Sequence, residues 1–120
     1  MQLLRGVDCR GVVPTNPRTA EQQMFFDAMW ADPHDGVGLQ QSGRGEGCIQ
    51  FGTDTTAAFL RRSKLELLLR SHEVPRTLRG YAEQAGGKCI TVFSASNYCG
   101  SSGNLGGVGG RVPPSGGGCW

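Results

Sequence analysis

The sequence predicts a mixed α/β domain, because two nearly continuous apolar runs lie among helical patterns. Residues 65–69 and 89–93 form these runs, and each is long enough for a strand that is buried on both faces. The second run is rich in β-branched residues and follows a Gly-Gly pair, which favours a strand. Periodicity alone leaves a helix open for the first run. The order of a strand, a helix and two buried strands indicates an α/β architecture.

Two helices are predicted before the first apolar run. Thr19 offers a helix N-cap, and Gln22 follows three residues later in the spacing of a capping box. An apolar stripe continues from there until Pro33 ends the helix. Thr53 or Asp54 can cap the second helix, which we expect to run to about residue 63.

Shorter elements complete the predicted domain. Residues 48–51 form a candidate short strand, and residues 80–82 form another. Residues 33–47 are rich in Gly, Asp, Gln and Ser, and we expect them to form a surface loop.

The chain is expected to contain one domain with an irregular segment at each end. Residues 1–18 mix apolar residues with Gly, Pro and Asn and predict an extended connection. Residues 19–105 contain the predicted helices and strands. Residues 106–120 predict a flexible Gly-rich C-terminal tail, because they offer almost no apolar side chain to bury, and the flexibility is expected to begin near Gly100.

Composition and charge exclude several function classes. The formal net charge is only +2 and the basic residues are scattered, so we expect no nucleic-acid partner. No apolar stretch reaches the roughly 20 residues that span a bilayer, so we expect no membrane association. Five cysteines without a Cys-x-x-Cys pair argue against a zinc module or a disulfide framework, and they favour reduced thiols in the cytoplasm or nucleus.

Polar side chains follow each apolar run, where loops can aim them at a ligand. His72 comes directly after the first run, as either a partly buried structural histidine or a metal ligand. Tyr98 lies past the second run, where its phenol binds a substrate oxygen or only holds the loop. Arg44 lies between Gly43 and Gly45, and its guanidinium suits phosphate oxygens, although most such loops are solvated turns.

The Asp-Pro-His sequence at residues 32–34 has the spacing of a paired metal-ligand motif. It lacks the flanking glycines and the preceding β-branched strand that such a motif requires, and it follows a helical pattern. We therefore do not interpret these residues as metal ligands.

Six segments within about residues 20–105 occur in an order and at a spacing that match one protein family. They are Met29-Trp30-Ala31-Asp32-Pro33, Gly43-Arg44-Gly45, Phe51-Gly52-Thr53-Asp54-Thr55-Thr56, Leu69-Arg70-Ser71-His72-Glu73-Val74, Gly80-Tyr81 and Thr91-Val92-Phe93-Ser94-Ala95-Ser96-Asn97-Tyr98-Cys99. Together they resemble the C-terminal half of the catalytic domain of the phosphoprotein phosphatase family. The Arg-Ser-His-Glu-Val version of the fourth segment leans toward the protein phosphatase 5 and EF-hand phosphatase branches.

The resemblance implies a partial metallophosphoesterase-type β-sandwich flanked by helices. It implies hydrolysis of phosphoserine and phosphothreonine by a water that is activated by two divalent metal ions of the Mn, Fe or Zn type. It also implies a phosphoprotein substrate and a regulatory protein partner. By the same resemblance His72 would be a metal ligand, while Arg44 and Tyr98 would be catalytic, with Arg44 clamping the phosphoryl group. The wall of the substrate groove would contain Trp30, Asp32 and Cys99.

The sequence departs from the family pattern in its metal ligands. The Gly-Asp-x-His-Gly, Gly-Asp-x-Val-Asp-Arg-Gly and Gly-Asn-His-Glu motifs, which carry most of the family's ligands, do not occur in the 120 residues. Gly43 replaces the acidic residue that usually precedes the clamping arginine, and residues 106–110 replace a β-branched strand with mostly glycine. A single histidine does not hold two divalent cations, so we expect the chain alone to be inactive as a hydrolase.

Three functional hypotheses follow. The chain is a piece of a protein serine/threonine phosphatase, or it is a non-catalytic remnant that binds a protein partner through unpaired strands. A Gly-rich RNA-associated protein is the third, and the absence of clustered Arg-Gly repeats argues against it.

Overall fold

The computed structural model describes residues 10–109, which form two α-helices, a short 3₁₀ helix (Tyr98–Gly100) and two three-stranded sheets. The α-helices are α1 (Ala20–Trp30) and α2 (Thr53–Ser63). The first sheet contains β1 (Asp32–Pro33), β2 (Leu39–Gln41) and β3 (Ile49–Phe51). The second sheet contains β4 (Leu68–Arg70), β5 (Tyr81–Gln84) and β6 (Cys89–Val92). The predicted mixed α/β class is therefore confirmed.

The two sheets share one topology, with strand orders β1-β3-β2 and β4-β6-β5. In each sheet the central strand pairs parallel with the first strand and antiparallel with the second. Asp32 faces Gln50 across one parallel ladder, and Arg70 faces Thr91 across the other. Parallel pairing brings the C-terminal ends of the two strands to the same edge of each sheet, which is where the polar segments begin.

The N-terminus of α1 follows the predicted capping pattern. The Thr19 hydroxyl accepts a hydrogen bond from the Gln22 backbone N–H at 3.1 Å. The Gln22 side chain reaches back to accept from the Arg18 backbone N–H at 2.9 Å. The two bonds satisfy backbone donors that have no partner within the helix.

The capping prediction for α2 is wrong. Gly52 is the N-cap of this helix and offers no side-chain bond. Asp54, in the first turn, instead accepts a hydrogen bond from the Gly38 backbone N–H at 2.7 Å. This bond ties α2 to the segment before β2, a non-local contact that the local pattern does not show.

Two strand predictions also need correction. Residues 39–41, which we expected in a loop, form β2, an exposed edge strand paired to β3. The run at residues 65–69 contributes only Leu68 and Leu69 to β4, and Leu69 is 62% exposed. Burial on both faces is therefore wrong for β4, because it is an edge strand within the described residues. In β6 one face is fully buried, with Cys89 and Thr91 on it, whereas Ile90 and Val92 on the other face are half-buried, so burial on both faces is only partly right there.

The described residues bury few apolar side chains. The buried ones are Phe26, Cys48, Leu60 and Cys89. Leu39 and Leu105 are 63% and 65% exposed, so both a strand and a loop carry exposed apolar surface. No helix in the described part of the chain has the length and apolar character that a bilayer crossing requires.

Part of the glycine-rich segment after Gly100 is hydrogen-bonded to the rest of the domain, contrary to the flexibility expected from there on. The Leu105 N–H donates to the Leu78 carbonyl at 2.7 Å, and the Gly107 N–H donates to the Phe93 carbonyl at 2.8 Å. Residues 110–120, most of the predicted tail, lie outside the described residues, as do residues 1–9 of the predicted extended connection.

Candidate functional site

Four polar side chains converge where strands of both sheets end. Asp32 lies in β1, and Arg44 lies on the loop between β2 and β3, so the first sheet supplies both. Arg70 ends β4, and His72 follows it two residues later, so the second sheet supplies the other pair. The candidate site therefore forms between the two sheets, at strand ends, as the positions of the polar segments predict.

Glycine allows the tight loop that carries Arg44. Gly45 and Gly47 have positive φ values of 135° and 79°, which residues with a side chain rarely adopt. The Ser42 N–H donates to the Cys48 carbonyl at 3.0 Å and closes the loop at its base. The Ser42 hydroxyl accepts from the Arg44 N–H at 3.2 Å, which fixes the backbone from which the guanidinium extends.

Asp32 is the centre of the cluster, and it is only 3% exposed. Its Oδ2 accepts from Arg44 Nε at 2.5 Å, and its Oδ1 accepts from Arg44 Nη2 at 3.3 Å. Oδ1 also accepts from Arg70 Nη2 at 2.6 Å. One carboxylate thus holds two guanidinium groups, one from each sheet, in charge-assisted hydrogen bonds.

The ionisation of Asp32 is set by its two arginines. Burial by itself would raise the pKa of Asp32, but hydrogen bonds from Arg44, from Arg70 and with Glu73 outweigh burial and lower that pKa. Burial, reinforced by the charge on Asp32, raises the pKa of Glu73. The bond to Asp32 raises the pKa of Arg44. Asp32 is therefore the ionised carboxylate of the cluster, and Glu73 is the carboxyl that takes up a proton more readily.

His72 lies beside this cluster as a neutral imidazole. Burial, and then the positive charge of Arg44, lower the pKa of His72, so the 3.9 Å approach of its Nδ1 to Asp32 Oδ1 is not an ion pair near neutral pH. Its Nδ1 is buried without a hydrogen-bond partner. The Trp30 ring packs edge-on against the imidazole, with centroids 5.0 Å apart. Backbone strain accompanies this placement, since His72 has a φ of 93°.

Tyr98 and Cys99 lie on a separate loop. The Tyr98 ring packs edge-on against Phe93 at 5.2 Å between centroids, and its side chain is about half exposed at 49%. Asn104, which is 2% exposed, holds this loop by accepting from the Tyr98 N–H at 2.9 Å and donating to the Ala95 carbonyl at 2.7 Å. Among residues 10–109, no hydrogen bond, ion pair or ring contact joins Tyr98 or Cys99 to the Asp32 cluster.

The family resemblance implies two metal ions, and the described residues offer few side chains that could bind them. Residues 10–109 contain no group of three or more His, Cys, Asp or Glu side chains that could hold a metal ion. The unpartnered Nδ1 of His72 suits one metal bond, whereas the nearest carboxylate, Asp32, has both oxygens engaged by arginine. The described residues therefore do not fit a complete two-metal centre.

The structure brings together part of the predicted site. Trp30, Asp32, Arg44 and His72 form one contiguous group, whereas in the described part of the chain no hydrogen bond, ion pair or ring contact connects Tyr98 or Cys99 to it. Sequence reasoning did not single out Arg70, which binds Asp32 directly. One signal was present: Arg70 and His72 are two residues apart at a strand end, a spacing that places side chains on the same face.

Comparison with known proteins identifies relatives that share most of this chain. Serine/threonine-protein phosphatase T of Trypanosoma brucei brucei is 48% identical over 86 residues, which are 72% of this chain and 18% of the relative. Serine/threonine-protein phosphatase 5 of Rattus norvegicus is 49% identical over 92 residues, which are 77% of this chain and 18% of the relative. The chain thus spans less than a fifth of these relatives. No protein-family model matches the chain.

A solved structure supports the same assignment. A serine/threonine phosphatase from Saccharomyces cerevisiae, described as similar to a human phosphatase of the protein phosphatase 5 type, superposes with a TM-score of 0.71 and 40% sequence identity. The match covers 84% of this chain and 29% of that one. The sequence resemblance is thereby confirmed, and the chain belongs to the phosphoprotein phosphatase family of serine/threonine phosphatases as a partial catalytic domain, similar to the protein phosphatase 5 and phosphatase T branch.

Proposed function

We propose that this chain forms one wall of the phosphate-binding site of a serine/threonine phosphatase, and that it contributes to hydrolysis of phosphoserine and phosphothreonine only within a complete site. The observation that carries the proposal is the guanidinium of Arg44, held side-on by buried Asp32 next to a neutral His72. The family relationship supports the choice of a phosphate monoester as the ligand. On this proposal the two sheets are parts of the metallophosphoesterase β-sandwich.

Arg44 is the residue best placed to bind the phosphoryl group. Its Nε and Nη2 are occupied by Asp32, and Nη2 also approaches the His72 carbonyl at 3.4 Å. Its Nη1 makes no hydrogen bond to any residue in the described part of the chain, and the side chain is 30% exposed. A phosphate oxygen can therefore accept from Nη1 without displacing the bonds that orient the guanidinium.

The chain's own residues account for recognition of the phosphate and not for its hydrolysis. His72 offers one nitrogen to a metal ion, and the described residues bring no further free ligand to it. Tyr98 and Cys99, on their separate loop, are proposed to line the far side of the substrate groove in the complete site, and Trp30 the near side.

Phosphate binding by the full 120-residue chain tests this proposal. We expect inorganic phosphate to bind weakly, and Arg44→Ala to weaken binding about 10- to 100-fold, since a charge-assisted hydrogen bond contributes roughly 1.5–3 kcal/mol. Arg62→Ala is the control, because Arg62 is exposed in the last turn of α2. Affinities are measured by ³¹P NMR titration at fixed ionic strength. Equal losses in the two variants would contradict the proposal, because they would indicate a general effect of charge.

A second candidate function is a non-catalytic, protein-binding role. The apolar side chains left exposed on the sheets and loops favour it, notably Leu39, Leu69 and Leu105 at 62–65% exposure. The partner on this proposal is a regulatory protein or the remainder of a phosphatase domain, met in the cytoplasm or nucleus. Manganese-dependent hydrolysis of p-nitrophenyl phosphate by the purified chain would exclude a purely non-catalytic role. If the purified chain binds phosphate but does not hydrolyse p-nitrophenyl phosphate, the result would support a chain that forms one wall of the site and needs the remainder of the domain for activity.

A further inference from the structure

We propose that Asp32 and Arg70 are a positioning pair, which orients the Arg44 guanidinium toward phosphate by linking the two sheets. This inference rests on the proposed function, since the orientation of Arg44 has a purpose only if Arg44 meets an anion. Its geometric content, that Arg70 holds Asp32 and Asp32 holds Arg44, can be tested without any ligand.

The hydrogen bonds form a chain with a defined direction. Arg70 Nη2 donates to Asp32 Oδ1 at 2.6 Å and to the Ala31 carbonyl at 3.2 Å. Asp32 in turn accepts from Nε of Arg44 at 2.5 Å. Arg70 thus grips both the side chain of Asp32 and the backbone next to it, from the opposite sheet.

Burial decides which of these side chains is the anchor. The side chains of Asp32 and Arg70 are 5% and 12% exposed, whereas that of Arg44 is 30% exposed. Arg70 also lies 3.7 Å from a carboxylate oxygen of Glu73. The buried pair is therefore the fixed part of the cluster, and it holds the more exposed Arg44 in one orientation.

This arrangement also bears on the substrate-groove role expected for Asp32. A carboxylate whose two oxygens are taken by two guanidiniums has little capacity left for a substrate, and Asp32 is 3% exposed. A positioning role explains both the burial of Asp32 and its bonds to the two arginines. A groove-wall role would have to use the small acceptor capacity that the two arginines leave on Asp32.

Proton exchange at the arginine Nε–H groups tests the geometry in the full chain. In ¹⁵N-labelled protein, the Nε–H of Arg44 should exchange with water at least about tenfold more slowly than that of exposed Arg62, because it is held in a hydrogen bond. Arg70→Met should abolish this protection, while Arg70→Lys, which keeps one donor and the charge, should restore part of it. Arg62→Met is the matched control and should leave the Arg44 signal unchanged.

The outcomes separate this inference from the function it rests on. Fast exchange of the Arg44 Nε–H in the wild-type chain would overturn the positioning pair without any variant. Protection that is undiminished in both Arg70 variants would also overturn it. If Arg70→Met does not fold, undiminished protection in Arg70→Lys is enough to overturn it, because a partial loss is expected there.

Phosphate titration of the same proteins completes the test. Arg70→Met should weaken phosphate binding about threefold to tenfold when Arg44 is present and have no further effect in an Arg44→Ala background. An additive effect in that background would overturn a role through Arg44. A chain that binds no phosphate, yet shows Arg44 protection that depends on Arg70, would refute the proposed function and leave the geometry intact.

Discussion

The close approach of Gly80 to Gly106 and Gly107 predicts a large difference between two Gly→Ala substitutions. Gly80 has a φ of +80°, and an added Cβ would overlap backbone atoms of Gly106 and Gly107. Gly86 has a similar φ of +62°, but a Cβ there would meet nothing within 4 Å. The two substitutions thus share the backbone strain and differ in the steric clash.

The magnitude follows from these two contributions. An alanine at positive φ costs about 1–2 kcal/mol, and the smaller entropy of the unfolded chain offsets about 0.4–1 kcal/mol of it. We therefore expect Gly86→Ala to lower the free energy of unfolding by about 1 kcal/mol. Gly80→Ala should lower it by about 1–3 kcal/mol more, because overpacking against backbone cannot be relieved by a side-chain rotation.

Urea unfolding of the wild-type chain and both variants measures this difference. With a urea dependence of about 1–3 kcal/mol per molar, the midpoint of Gly80→Ala should lie on the order of 1 M below that of Gly86→Ala. Hydrogen exchange at the Gly107 amide, which donates to Phe93, should also become faster only in Gly80→Ala. Equal midpoints would refute the close packing of the glycine-rich segment against Gly80.

Three further predictions concern single side chains. Asn104→Ala should lower the free energy of unfolding by about 1–3 kcal/mol, because it removes a buried side chain that bonds the Tyr98 N–H and the Ala95 carbonyl. Ser102→Ala, which removes only one hydroxyl partner of Asn104, should cost less than about 1 kcal/mol, and similar urea midpoints would contradict this. A backbone N–H from the loop before β2 lowers the pKa of Asp54, so its contribution to stability is complete above the ordinary carboxyl pKa of about 4 and is lost as the pH falls through the lower folded-state value. Asp54→Asn should therefore flatten the dependence of the urea midpoint on pH below about pH 4, and an unchanged slope would count against that bond. Exposed Cys99 should be alkylated by iodoacetamide in the native chain, whereas Cys89, which is fully buried and whose pKa is raised by that burial, should react only after unfolding; peptide mass spectrometry distinguishes them, and comparable rates would contradict the packing of β6.

Local signals sufficed for α1 and failed for the edge strands. The Thr19 cap and its bond partner Gln22 are three residues apart, so the sequence alone contains the whole interaction. The strand at residues 39–41 is exposed along its length and contains two glutamines, and it exists because it pairs with β3. Its determinant lies in another part of the chain, which a window of neighbouring residues does not show.

The candidate site also contains residues that neighbouring sequence identifies and residues that only distant contacts identify. Arg44 and His72 were identified because each lies within a segment that matches the phosphatase family, so their neighbours in sequence were informative. Arg70 stands within one of those segments, yet its contact is with Asp32, 38 residues earlier in the chain. Its role depends on how the two sheets are placed, and only the structure gives that placement.

The Asp32–Arg70 pair is better explained by the site than by stability. A buried ion pair pays a desolvation cost that its own attraction often only balances, and apolar residues of similar volume would hold two sheets together at least as well. An apolar pair would leave Arg44 without its acceptor, however, and the guanidinium would be free to rotate into solvent. The second guanidinium also keeps Asp32 ionised despite burial, since hydrogen bonds from both arginines outweigh the effect of burial on its pKa. The three side chains therefore act together: Arg70 stabilises the charge of Asp32, and that charge fixes the direction of Arg44.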